Sequence, residues 1–285
     1  MQIKDRAHQI SSATLASLLE GVPMLPDTAF AVMDMMHKAD TEPRALAKIV
    51  AQDPGLTVQT LHLCNSPFYS LPVEVTSVEH AVRLLGLPTV CGIVMAAYVH
   101  GFMARFSGEG ARVWLTGGRR HVLHVAECVQ YLATRCPLGI SKSEAFTLGL
   151  LHDIGKLVLA QLDEATARAV EQRAAVPNVS MTDAEWDLLG LDHAEAGFLL
   201  AQRWGLPEMI AQVVRWHHQP HKTEDPLAML VFLANELAHI LEGRFSFQTF
   251  LDQEPLVSLL EDRLGIDLGT LSDVTNAWLA RAKDR

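Results

Sequence analysis

The chain has 285 residues, 49% apolar and 20% charged, enough to bury a substantial core and too hydrophobic for a disordered chain. Acidic residues outnumber basic ones by 33 to 23, and the resulting net charge of -10 opposes binding to a nucleic-acid backbone. Basic clustering goes little beyond Arg119–Arg120. Cys64, Cys91, Cys128 and Cys136 are too widely spaced for a CxxC or zinc-ribbon site and sit in apolar contexts, so buried free thiols are expected. The first residues lack the continuous apolar run of a signal peptide, and the most apolar stretch, Cys91–Met103, is too short to span a bilayer. A cytoplasmic protein without membrane insertion is the expectation.

Apolar residues recur at three- and four-residue steps along nearly the whole chain, which predicts an all-α fold. Leu46, Ile49 and Val50 line one face of an early helix. Asp53-Pro54 reads as a cap followed by proline at the first helical position, opening a helix through Gly55–Cys64. Asn65 and Ser66 end that helix, and the NSPFY segment (65–69) is expected to pack the turn. Val78, Ala81, Val82 and Leu85 form the next stripe, closed by Gly86 and followed by Pro88. The glycine-rich passage FSGEGARVWLTGG (106–118) is the best boundary candidate, with a weaker one near Gly243–Gln248. These divide the chain into a lead-in (1–14), a helical N-terminal part (15–106), a histidine-rich part (107–245) and a helical extension (246–285).

The histidine-rich part carries the ionisable chemistry. In LGLLHDIGKLVLAQL (148–162), Leu148, Leu151, Gly155, Val158 and Leu159 share an inward helical face with His152, Asp153 follows, and Lys156 lies one turn on. An adjacent His-Asp pair offers one nitrogen and one anionic oxygen to a divalent metal. The alternative is an Asp153–Lys156 pair beside a hydrogen-bonded core histidine. Upstream, His121 and His124 stand one turn apart on one face. Downstream, Asp192-His193-Ala194-Glu195 has capping-box spacing, which puts His193 at the start of a helix that runs to Trp204 and is ended by Gly205. Pro207 opens another helix, on which Ile210, Val213, Val214 and His217 share a face next to His218. Histidines from four separate helices thus converge on inward faces. Trp204 and Trp216 are expected to pack in the core or between the two parts.

The segments HVLHVA (121–126), GLLHDIGKL (149–157), DHAEAG (192–197), WGLP (204–207) and HHQP (217–220) resemble the HD phosphohydrolase superfamily in order and spacing. LPDTAF (25–30), IVAQDPGLTVQTLHLCNSPFYS (49–70) and VEHAVRLLGLP (78–88) narrow the resemblance to HDOD domains, over roughly residues 15–245. The resemblance implies an HD-domain-like multi-helix fold with a helical N-terminal subdomain. It also implies a role in bacterial signalling, with another signalling protein as partner.

Carried over by position, it assigns His121, His152, Asp153, His193, His217 and His218 as candidate ligands of a divalent metal such as iron or manganese. Asp153 and Lys156 would be the catalytic groups if the chain is active. Asn235 stands where the HD site has its closing aspartate, and a neutral amide weakens metal affinity. His239, one turn later, is a candidate substitute. The Gly-Tyr-Pro element of the cyclic di-GMP branch is absent after His218. Three readings follow: a regulatory or protein-interaction module, a metal-dependent phosphohydrolase acting on a nucleotide or cyclic dinucleotide, or a sensor that binds such a ligand without turnover.

Overall fold

Local sequence signals start most of the helices. In the computed structural model, which describes residues 10–36, 42–65, 69, 71–106, 108–115, 118–252 and 254–283, all regular structure is helical. The all-α expectation is met. The N-terminal part contains α1 (Ser12–Gly21), α2 (Asp27–Met36), α3 (Pro43–Val50), α4 (Pro54–Cys64), α5 (Val78–Leu85) and α6 (Leu87–Met103). Next come α7 (Glu109–Leu115), α8 (Gly118–Ala133), α9 (Lys142–Leu151), α10 (Lys156–Leu159) and α11 (Glu164–Ala174). The chain continues through α12 (Met181–Leu189), α13 (His193–Arg203), α14 (Glu208–Trp216) and α15 (Pro226–Leu241). It closes with α16 (Phe247–Leu251), α17 (Glu254–Leu264) and α18 (Leu268–Lys283).

Asp53 caps α4 as its sequence predicts, its Oδ1 accepting the Leu56 N–H at 3.0 Å. Asn65 closes that helix and exchanges two hydrogen bonds with the Val75 backbone, at 2.8 and 2.7 Å, so its side chain acts as a short strand mimic across the turn. Ser66, Pro67 and Phe68 of the NSPFY segment lie outside the described residues, as do residues 1–9 of the lead-in. Gly86, at φ 84°, uses the left-handed half of backbone space to turn α5 sharply into α6.

Helix α6 is the hub of the N-terminal part. Residues Val90 to Val99 are almost wholly buried, and the helix packs against α2, α4 and α5 on one side and α9 on the other. One apolar cluster therefore runs from Val22 to Trp278 through both parts. Helix α1 docks on the histidine-rich part: Gln161 Nε2 donates to Leu18 O at 2.7 Å and Arg203 Nη1 to Val22 O at 2.8 Å. Trp204 is buried and donates to Pro23 O at 2.9 Å, whereas Trp216 is only half-buried and bonds to Gln212 within its own helix. All four cysteines are buried free thiols.

In the histidine-rich part α8 lies between α9 and α15, while α10 packs on α13 and α13 on α14. Helices α17 and α18 cover α15, burying Leu260, Leu264, Leu271 and Trp278. No helix among the described residues is long and apolar enough to cross a membrane.

Candidate functional site

The predicted continuous helix over 148–162 is interrupted at the His-Asp pair. Helix α9 ends at Leu151, residues 152–155 form tight turns, and α10 begins at Lys156. The reason lies in His152. Its Nδ1 donates to the Gly149 carbonyl at 2.6 Å and occupies the acceptor that a continuing helix would offer to the Asp153 N–H. Three-residue bonds take over, Ile154 N to Leu151 O at 3.1 Å and Lys156 N to Asp153 O at 3.0 Å. His217 ends α14 in the same way, with Nδ1 donating to Val214 O at 2.6 Å. A carbonyl can only accept, so both rings carry the proton on Nδ1 and present a bare Nε2 inward.

Those nitrogens surround Asp153. His152 Nε2 is 3.3 Å from its Oδ2, and His193 and His217 Nε2 are 3.2 and 3.7 Å from Oδ1. His218 Nε2 lies 3.0 Å from His193 Nε2. Lys156 Nζ also reaches Asp153 Oδ2, at 2.5 Å, so the lysine–aspartate pairing weighed as the alternative is present within the cluster. The donor atoms of Asp153, His193, His217 and His218 all lie within 4.8 Å of one another, as do those of His121, His152 and Asp153.

Two glycines permit this closeness. A Cβ on Gly155 would strike the His193 carbonyl and the Gly197 amide, and one on Gly197 would lie 2.6 Å from Val214 Cγ1. The turn after the His-Asp pair can therefore press backbone to backbone against α13. Asp192 caps α13 through a 2.8 Å bond to Glu195 N–H, but the reciprocal half of the predicted capping box is replaced. Glu195 instead forms a two-pronged pair with Arg215 of α14, at 2.8 and 3.0 Å, tying the His193 helix to the His217 helix.

Glu185 was not among the sequence candidates, and it orients His193. This fully buried carboxylate of α12 accepts the His193 Nδ1–H at 2.7 Å and the His193 backbone N–H at 2.8 Å. Its other oxygen accepts the Trp114 Nε1–H at 2.9 Å. A carboxylate behind an imidazole fixes the tautomer and directs the far nitrogen toward a ligand position. The available signal was a charged residue beside Ala184 and Leu188 on an otherwise apolar helix face.

His121 occupies a different position. Its Nε2 is 3.0 Å from Asn235 Oδ1 and its Nδ1 3.0 Å from Glu242 Oε1, and Glu242 is a second residue that sequence reasoning missed. A neutral His121 that donates through Nδ1 to Glu242 needs the Asn235 amide turned so that its NH2 faces Nε2. His124 and His239 also face Glu242, at 3.5 and 3.7 Å, and His239 stacks on His121 with ring centroids 4.6 Å apart.

Electrostatics separate these groups. Burial alone would raise the Asp153 carboxyl, but the imidazoles of His152 and His193 and the Lys156 ammonium around it hold it well below the usual carboxylate range. Burial opposes charge on His193, yet the Glu185 carboxylate that accepts its Nδ1–H, with Asp153 close by, raises it to about 9. Burial dominates for His217 and His121, each pushed down to about 4, and it lowers His218 as well.

The residues present fit a divalent ion. His152 Nε2, His217 Nε2 and Asp153 Oδ1 are buried without a hydrogen-bond partner, a costly arrangement unless a cation receives their lone pairs. Donor separations of 3.0–3.7 Å bracket the roughly 3.4 Å that a tetrahedral ion with bonds of about 2.1 Å requires. The cluster is also deep: His152, Asp153, His193 and His217 are all at most 2% exposed, and His218 is partly exposed.

Residues 22–220 match the HDOD domain family. Among solved structures, an HDOD domain protein of unknown function from Geobacter sulfurreducens superposes with a TM-score of 0.77 at 22% identity, covering 96% of each chain. A provisionally named phosphohydrolase from Shewanella amazonensis gives 0.68 at 27% identity, covering 96% of this chain and 98% of that one. Among curated proteins, an uncharacterized protein of Treponema pallidum is 23% identical over 83% of this chain and 46% of its own length. Ribonuclease Y of Thermus thermophilus is 27% identical over 47% of this chain and 19% of its own. The chain thus spans less than half the length of these curated relatives. A family match over most of the sequence, on a helical fold shared with an HDOD structure, means that this chain belongs to the HDOD domain family.

Proposed function

We propose that the chain is a regulatory signalling module of the HDOD type, in which a buried divalent ion braces the Asp153 cluster and the output is contact with another signalling protein. The observation that carries this reading is closure. Structural metal sites fill every position with a protein ligand, whereas catalytic ones keep one open for water or substrate, and here Asp153, His193, His217 and His218 bring four donor atoms within 4.8 Å of one another. Asn235 supports the same reading, since it faces His121 with a neutral amide where a hydrolase of this superfamily would offer a carboxylate. On this reading Asp153, His193, His217 and His218 hold the ion, His152 Nε2 faces the other oxygen of Asp153, and Glu185 keeps His193 in the required tautomer.

A second reading, a metal-dependent phosphohydrolase acting on a nucleotide or cyclic dinucleotide, is favoured by Lys156. Its side chain is 21% exposed beside the cluster, within reach of a phosphate at the surface. The Shewanella relative's name points the same way. A bound divalent ion would supply charge stabilisation and an acidified water, Lys156 would hold phosphate charge, and Asp153 would anchor the ion.

Elemental analysis of the natively purified chain tests the metal-braced module. Stoichiometric transition metal in the wild type, lost in His152→Ala/Asp153→Ala, is expected. A wild type devoid of metal would sink the brace.

A further inference from the structure

Glu242 is the focus of a second cluster that the Asp153 site does not use. It follows the last residue of α15, and three imidazole nitrogens converge on it: His121 Nδ1 at 3.0 Å, His124 Nδ1 at 3.5 Å and His239 Nδ1 at 3.7 Å. The Glu242 carboxylate attracts all three imidazoles without completing a hydrogen bond to each. Only the His121 contact has good geometry, while His124 Nδ1 and His239 Nδ1 are buried and have no hydrogen-bond partner. Two orphaned nitrogens facing one carboxylate are an unexplained cost to the fold.

We infer that His121, His239 and Glu242 form a second divalent-cation site, best suited to zinc, at the end of α15. Two imidazoles and one carboxylate are an N2O set, and zinc accepts such sets in tetrahedral geometry with water in the fourth position, His124 standing beside Glu242 outside the set. The separations from the carboxylate match the roughly 3.4 Å between donors around a tetrahedral ion. The donor atoms of His121, His239 and Glu242 lie within 4.8 Å of one another. The spacing also follows from the helices: His121 and His124 share a face of α8 one turn apart, and His239 and Glu242 are one turn apart at the α15 terminus. A helix C-terminus adds negative potential that favours a cation.

Access separates this site from the Asp153 cluster. His124, His239 and Glu242 are 15–17% exposed, so an ion can enter from solvent without opening the core. Arg244, 56% exposed and 3.3 Å from Glu242 Oε2, occupies the mouth and would be displaced by the ion. The site joins α8 to α15 next to Asn235, so its occupancy would stiffen that helix pair independently of the buried ion.

Zinc stoichiometry of the full chain, stripped with chelator, reloaded with zinc chloride and freed of excess, tests the site. His239→Ala and Glu242→Gln should each hold one zinc fewer per chain than the wild type, with the helical circular-dichroism signal retained, and Asp153→Asn should still hold the outer ion. Cobalt loaded into Asp153→Asn should give the intense visible bands of a tetrahedral centre, and these should vanish on adding Glu242→Gln. Wild-type stoichiometry in both His239→Ala and Glu242→Gln would overturn the site. Failure of the buried site reads differently, as Asp153→Asn binding the same zinc as the wild type.

Discussion

Glu185 shows how one side chain sets the character of the buried cluster. It has no solvent, receives three hydrogen bonds, and supplies the charge that lifts His193 above its ordinary value. Glu185→Gln keeps the shape and removes the charge. Metal affinity should fall roughly 10–100-fold, measured by competition with a chromophoric chelator. The metal-free chain should lose about 3 kcal/mol, since breaking a buried pair leaves the partner uncompensated. The same charges set the pH response of the metal-free chain. His193, raised to about 9, contributes stability that is complete below its unfolded value of 6.5 and lost as pH rises through 9. His121 and His217, lowered to about 4, act in the opposite direction: their contribution is complete above 6.5 and lost as pH falls through 4. Calorimetry of the chelator-treated chain should therefore show greatest thermal stability near pH 6.5, with a decline on each side on the order of 3 kcal/mol per group. A midpoint flat from pH 4 to 9 would contradict these environments.

At the scale of elements, the site depends on how closely the turn after Asp153 approaches α13. Gly155→Ala and Gly197→Ala should each destabilise the chain by about 3 kcal/mol in urea, because a methyl group meets backbone in one case and the Val214 side chain in the other. Gly139→Ala is the control: nothing lies within 4 Å, and only its positive φ of 67° adds a cost, about 1 kcal/mol. The contrast marks what the sequence could disclose. Local signals were legible, as with the Asp53 cap, the Val78–Leu85 stripe and the His217 face, because they depend on neighbours within one turn. The break at His152 was not, since periodicity is blind to a side chain competing for its own helix's carbonyl. Glu195 was half legible: its backbone is capped as expected, while its carboxylate answers to Arg215, twenty positions away. Glu185 and Glu242 were missed because their partners come from distant segments, and the family motifs draw attention only to histidines and the aspartate.

For the whole molecule, α6 and α15 carry the organisation. Helix α6 joins the N-terminal helices to α9, and α15 presents Asn235 and His239 while α17 and α18 cover its outer side. Removing residues 246–285 would uncover apolar surface on α15, so the truncated chain should unfold at clearly lower urea concentration than the full one. Equal midpoints would show that the extension is dispensable to the core. The division into a 15–106 part, a 107–245 part and an extension remains a proposal, set against an apolar cluster that is continuous across all three. In the proposed function the Asp153 cluster, which joins the turn before α10 to α13 and the end of α14, is a brace and not a pocket that turns over substrate. The direct test of that claim is product formation by the metal-replete full chain and its Asp153→Asn variant on a panel of nucleotide phosphoesters and cyclic dinucleotides. A regulatory module predicts no turnover in the wild type beyond that of the variant. Hydrolysis by the wild type that disappears in Asp153→Asn would contradict it and establish the phosphohydrolase reading.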